Sequence, residues 1–304
     1  MNKSWLIGLI VVGLVALAIF MWPRADTPPE DNGIEPPPDN GGEQVEPEDV
    51  TIGYVNWACA TATGHLVQTI LEEDMEDVTV ELTDLGAALM WQSLATGDLD
   101  FILSAWLPVT HSEYYAELED DVVRVRENYQ GAQIGLVVPT YVEIDSITEL
   151  NENAEQFEGR IVGIDAGAGI MGATEEAIEV YELDLTLVDS SDAAMAAELQ
   201  TAIDNEEWIV VTGWSPHWKF AEFELKFLED PENVYGGEES IFTITREGFA
   251  EDNPRVQRFL ENFFMTPEQL GSLMGMIEDI DDIDEAVQQW IDENREVVNG
   301  WLPE

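Results

Sequence analysis

From residue 50 onward, short runs rich in β-branched and aromatic residues alternate with stretches whose apolar positions recur every three or four residues. That alternation admits few architectures other than an α/β fold, because strands and helices each bury one face and here must do so against one another. Residues 50–55 predict a strand, Leu66, Val67, Ile70 and Leu71 then share one helical face, and 78–82 predict the next strand. Residues 87–96 read as a helix and 101–104 and 134–138 as strands, the last running into Pro139, which marks a crossover. A second series follows: a strand over 161–164, a helix from Gly169 to about Tyr181, a strand over 185–188, a helix over 191–204, and strands over 209–211 and 241–245. The end of the chain is helical, over 254–264, over 266–277, and in a last helix carrying Ile283, Val287, Trp290 and Ile291. Two α/β series with a late return predict a two-lobed clamp, with residues 50–138 plus 240–304 as lobe one and 139–239 as lobe two, and ligand held between them.

The first 24 residues have a different pattern. Lys3 precedes an apolar run from Trp5 to Trp22, about as long as a minimal bilayer span. The run lacks a small-residue cleavage site and a lipid-accepting cysteine, so an uncleaved membrane anchor with the remainder outside the cell is expected. Residues 25–49, rich in Pro, Gly, Asp and Glu, form an extended acidic tether. Cys59 is the sole cysteine, which excludes an intrachain disulfide. Eleven basic residues stand against 64 acidic ones, a formal net charge of -53. Such a chain repels nucleic acid phosphates, and the charge reads as a solvated acidic shell suited to a halophilic or alkaline setting.

Three tryptophans stand beside apolar strands: Trp57 after Gly53-Tyr54-Val55-Asn56, Trp106 after Leu103-Ser104-Ala105, and Trp214 after Val211-Thr212-Gly213. Strand ends are where open α/β sheets bind ligands. Three aromatic rings in equivalent places suit a cation that has no N–H to donate, since such a group is held by ring faces instead of hydrogen bonds. The segment Asp165-Ala166-Gly167-Ala168-Gly169-Ile170-Met171-Gly172 leaves a strand and opens a helix, so its backbone N–H groups can face an anion. The same residues match the dinucleotide pattern GxGxxG, with Asp189 placed to meet a ribose, which keeps a dinucleotide-dependent oxidoreductase as a rival reading. No GxSxG motif is present, three histidines offer little for a metal, and the acidic run 278–284 lacks the glycine of a calcium loop. No cofactor, metal or catalytic step is expected. Trp91 and Trp218 read as packing residues, and His65 as a satisfied surface residue.

The segments GYVNW (53–57), LSAWLPVTH (103–111), GIDAGAGIM (163–171), TGWSPHW (212–218) and TITREGF (243–249) together resemble the glycine betaine and proline betaine substrate-binding proteins of ABC importers. The resemblance spans residue 50 to the C-terminus. It implies a two-lobed, periplasmic-binding-protein-like (type II) fold and a monomer that delivers its ligand to a permease driven by an ATPase. It also implies that Trp57, Trp106 and Trp214 form an aromatic cage, while His111 and the backbone of Gly169 and Ile170 hold a carboxylate, with His217 in support. The ligand class is glycine betaine or a related betaine or choline-like osmolyte. Two departures stand out: Ala166 replaces a frequent proline, and Ala58-Cys59-Ala60 stands where the family tends to carry an acidic or polar residue shortly after the first cage tryptophan. A ligand-sensing module without a transporter is the other alternative.

Overall fold

A computed structural model describes residues 47–303. The expected anchor and nearly all of the tether lie outside these described residues. Among them, no helix is long and apolar enough to cross a membrane. The described residues fall into one compact unit.

The first strand, β1 (Glu48–Tyr54), pairs in parallel with β2 (Val78–Asp84) and β3 (Phe101–Leu107), and the connections are α1 (Ala58–Asp74) and α2 (Ala87–Thr96). After the short α3 (Ser112–Leu118) comes β4 (Val122–Pro139), a strand of 18 residues. A second parallel group follows: β5 (Arg160–Val162), α4 (Gly169–Val180), β6 (Thr186–Val188), α5 (Asp192–Asp204) and β7 (Val211–Ser215). The chain then forms α6 (Lys219–Glu222) and β8 (Leu225–Phe227) and returns through β9 (Glu239–Arg246). The helices α7 (Phe249–Asp252), α8 (Pro254–Asn262), α9 (Pro267–Asp279), α10 (Ile283–Glu293) and α11 (Arg295–Trp301) complete it.

The strand order is β2-β1-β3-β9-β4-β7-β5-β6. Two parallel groups therefore flank an antiparallel centre in which β4 is common property. Its first part, through Ala132, pairs with β9, and from Gln133 onward it pairs with β7. Pro139, where the sequence marks a crossover, is the last residue of the same strand, and the change of partner comes earlier. The register against β9 slips at Arg124/Arg126, Glu127/Tyr129 and Gln130/Ala132, so the strand bends as it passes between the groups.

Apolar residues of both groups fill the interior: Ile52, Leu66, Ile70, Phe101 and Ile102 on one side, and Leu136, Ile161, Val211, Met195 and Leu199 on the other, all at or near zero exposure. The C-terminal helices pack back on α1, and the carboxylate of Glu48 accepts from the backbone N–H groups of Arg255 and Val256 at 3.1 and 2.9 Å, tying β1 to the start of α8. A reciprocal pair between Thr266 and Gln269 caps α9. Caps of this kind contribute about 1 kcal/mol each.

Against the sequence reading, Trp106 and Trp214 lie inside β3 and β7, near their ends, instead of following them. The sequence missed the first half of β4, α3 and β8.

Candidate ligand-binding site

The parallel strands β1, β3, β5 and β7 all point their carboxyl ends at one small cavity. Trp57, Trp106, Trp214, His111, Gly169 and Ile170 all line it, together with Thr110, Ile134, Ile164 and Ala168. Each of the six residues singled out from the sequence is thus brought to the same place. The four additional residues are small or apolar; Thr110, Ile164 and Ala168 fall inside the segments quoted above, and Ile134 lies outside them.

Trp57 is the residue that enters α1, with an extended backbone (φ -104°, ψ 145°). Its indole N–H donates to Asp165 Oδ2 over 3.4 Å. Trp106, Trp57 and Trp214 are 3, 6 and 4 % exposed, so three large π faces meet in a nearly dry space. Desolvation of this kind raises a cation–π contact towards about 2 kcal/mol per ring.

His111 is fully buried. Its ring lies 5.9 Å from Trp57 on one side and edge-to-face 5.9 Å from Trp91 on the other, which fixes its orientation. The backbone N–H of Trp106 donates to Nδ1 at 3.2 Å. Nδ1 is therefore an acceptor and the proton sits on Nε2, which has no partner among the described residues. Burial lowers the pKa to about 4, so the ring is neutral at ordinary pH and offers a single N–H donor. A second proton on Nδ1 would break the bond from Trp106.

Gly169 and Ile170 are the first two residues of α4, entered through Ala168 in an extended conformation. Helix geometry leaves their N–H groups without intrahelical acceptors and adds the positive end of the helix dipole. Gly169 is required here: a Cβ at this position would stand 1.9 Å from the carbonyl oxygen of Thr110. Tyr114 adds a further tie, its hydroxyl donating to the Gly167 carbonyl at 2.8 Å.

The loop between Trp106 and His111 is held by a residue the sequence reading did not single out. Glu239, the first residue of β9, accepts from the N–H groups of Val109 and Thr110, both at 3.1 Å, and from the Thr110 hydroxyl. It is 4 % exposed, and burial outweighs these donors in raising its pKa. Behind Trp214, Lys219 is buried with its ammonium over the indole face, and burial lowers its pKa to about 8. Cys59 is buried beside the site but does not line the cavity, and burial, followed by the nearby Asp192, pushes its thiol up to about 12. Trp91 is core, as the sequence suggests; Trp218 packs on His217 and Phe223.

Residues 48–293 match the model of a family described as the substrate binding domain of ABC-type glycine betaine transport systems. A glycine betaine/carnitine transport binding protein of Listeria monocytogenes is 49% identical over 150 residues, which are 48% of this chain and 50% of that protein, so the chain spans about half of that relative's length. The lactococcal protein solved closed on glycine betaine superposes with a TM-score of 0.80 at 35% identity, covering 84% of this chain and 100% of that one. A glycine betaine/L-proline-binding protein of Borrelia burgdorferi gives 0.81 at 35% identity over 84% and 97% of the two chains. A choline binding protein solved with choline gives 0.77 at 27% identity over 83% and 91%. The fold is accordingly α/β and periplasmic-binding-protein-like.

Proposed function

The chain belongs to the family of substrate-binding domains of ABC-type glycine betaine transport systems, and on that premise we propose that it captures glycine betaine, or a close quaternary-ammonium relative, outside the cell and hands it to a permease. The observation that carries this reading is the convergence in one cavity of three tryptophans with the free Nε2–H of His111 and the first N–H groups of α4. The rings suit a methylated cation that cannot donate a hydrogen bond, and the three N–H groups suit a carboxylate at the other end of the same small molecule. No catalytic step belongs to this reading.

Capture follows from the topology. Lobe one (50–138 plus 240–304) contributes Trp57, Trp106 and His111, and lobe two (139–239) contributes Trp214 and the start of α4. The chain passes between lobes at the end of β4 and again after Glu239, and ligand favours the closed arrangement by touching both. The apolar run from Trp5 to Trp22 would anchor the protein at the membrane, with the acidic segment after it as a tether to a monomeric domain.

Calorimetry in molar salt with glycine betaine, proline betaine, carnitine, choline and glycine tests the reading. Saturable binding of a betaine and none of glycine is expected. Binding of NAD, or of none of the quaternary ammonium compounds, would overturn it.

A further inference from the structure

One buried carboxylate near the cavity has a place in the structure that ligand contact does not explain. Asp192 opens α5 and is 5 % exposed. Its Oδ2 accepts the backbone N–H of Ala58, the first residue of α1, at 3.0 Å. Its Oδ1 lies 2.9 Å from His217 Nε2. The backbone N–H of Lys219 donates to Nδ1 of that histidine at 3.1 Å, which leaves the ring proton on Nε2 and makes His217 the donor to Asp192. Burial alone would raise the pKa of Asp192, but the His217 hydrogen bond, the nearby Lys219 charge and the Ala58 N–H outweigh it and keep the carboxylate ionised.

These bonds join the two sides of the cavity. Ala58 follows Trp57 directly, and the His217 ring packs edge-to-face on Trp214 with centroids 4.9 Å apart. Helix α1 runs for 17 residues with no side-chain cap and no acidic residue in its first turn, so its positive end lacks a local partner. The compensating charge comes from α5, in the other parallel group of the sheet.

We propose that Asp192 is a positioning residue that latches the cleft: it docks on the Ala58 N–H when the two parallel groups close on ligand, and so holds Trp57 and Trp214 at the spacing a quaternary ammonium requires. This rests on the reading of the cavity given above. Asp192 does not itself line that cavity, so it acts through the two tryptophans.

The test uses the full chain and three variants: Asp192→Asn, Ala58→Pro and the double substitution. Proline suits position 58, because the first position of a helix needs no N–H for the helix itself and Trp57 before it is already extended. Ala58→Pro thus deletes the donor and leaves the charge in place. Glycine betaine affinity by calorimetry, dissociation rate by stopped-flow tryptophan fluorescence, and the melting temperature without ligand are read for each. Each single variant is expected to weaken binding by about tenfold to a hundredfold, the usual worth of a hydrogen bond to a charged group, mostly through faster dissociation. The double variant should be no worse than the weaker single, since once the Ala58 N–H is gone the charge removed by Asp192→Asn has no donor left to strengthen there. Ala58→Pro should keep its ligand-free melting temperature. Additive effects, or an Ala58→Pro variant that binds like the parent, overturn the latch. So does a loss confined to ligand-free stability in Asp192→Asn, which is what a packing role would give. A parent chain that binds neither glycine betaine nor choline overturns the reading of the cavity, and the latch with it; a parent that binds while Ala58→Pro changes nothing overturns the latch alone.

Discussion

The ammonium of Lys219 lies 4.1 Å from the centroid of the Trp214 ring, fully buried and without a hydrogen-bond partner among the described residues. Lys219 does not line the cavity that Trp214 lines, so it covers the ring from behind. A cation on one face draws on the same electron density that a second cation would use on the other, and the two charges also repel. Lys219→Met is therefore expected to tighten glycine betaine by a few-fold. Burial lowers the lysine pKa to about 8, so raising the pH through 8 should remove the charge and tighten the parent in the same direction. Titrations at pH 7 and 9 on parent and variant check both; an affinity that falls in the variant would refute the competition.

His111 is expected to serve the carboxylate and not the cation. His111→Ala should weaken glycine betaine by about tenfold to a hundredfold, the worth of a hydrogen bond to a charged group. Choline keeps the cationic head and lacks the carboxylate, so its affinity should barely move. Because burial holds the ring pKa near 4, the parent's betaine affinity should be level from pH 7 to pH 5. Equal losses for choline and glycine betaine would place the carboxylate elsewhere.

Stepwise removal of methyl groups from glycine betaine should lower affinity at each step, since a smaller, better hydrated cation gains less from ring faces. Trp106→Ala should cost at least about 1 kcal/mol. Calorimetry across the series decides, and comparable binding of glycine and glycine betaine would dismiss the cage.

Acid stability follows from the two buried histidines. Burial lowers both pKa values to about 4, with Lys219 also acting on His217. The unfolded chain, with histidines near 6.5, takes up protons between pH 6.5 and 4 that the native state refuses. Stability held above pH 6.5 is therefore lost as the pH falls, at about 1.4 kcal/mol per unit for each ring. Acidification also relieves repulsion among carboxylates, so the comparison needs a variant. The melting temperature of the parent should fall more steeply from pH 7 to 5 than that of His217→Gln; parallel curves would contradict the assignment.

A formal charge of -53 on 304 residues implies strong self-repulsion at low ionic strength. At molar salt the screening length shrinks to about 3 Å. Melting temperatures should rise from dilute buffer to molar KCl, and a flat or falling profile would count against a shell adapted to salt.

What could be read from sequence was the part written in local pattern. The strand-to-helix turns at Trp57 and Gly169 follow from hydrophobic periodicity and small residues, and the resemblance of five short segments named six residues that the structure gathers around one cavity. The first half of β4 was illegible because Arg124, Arg126, Glu127, Asn128 and Gln130 dilute the apolar alternation and three register slips break its period. Glu239 and Asp192 were illegible for a different reason. Each is one acid among 64, and only the fold distinguishes them from surface carboxylates by burying them against backbone N–H groups distant in sequence.

Since β4 pairs with β9 through Ala132 and with β7 from Gln133, no cut in the chain divides the domain into self-sufficient halves. A fragment ending before β4 would leave the edge of β3 without β9, and one beginning after it would leave β7 and β9 each with an unpaired edge. For a split reporter of betaine, the fragment that carries β4 must template the other, so reassembly itself would create the pocket.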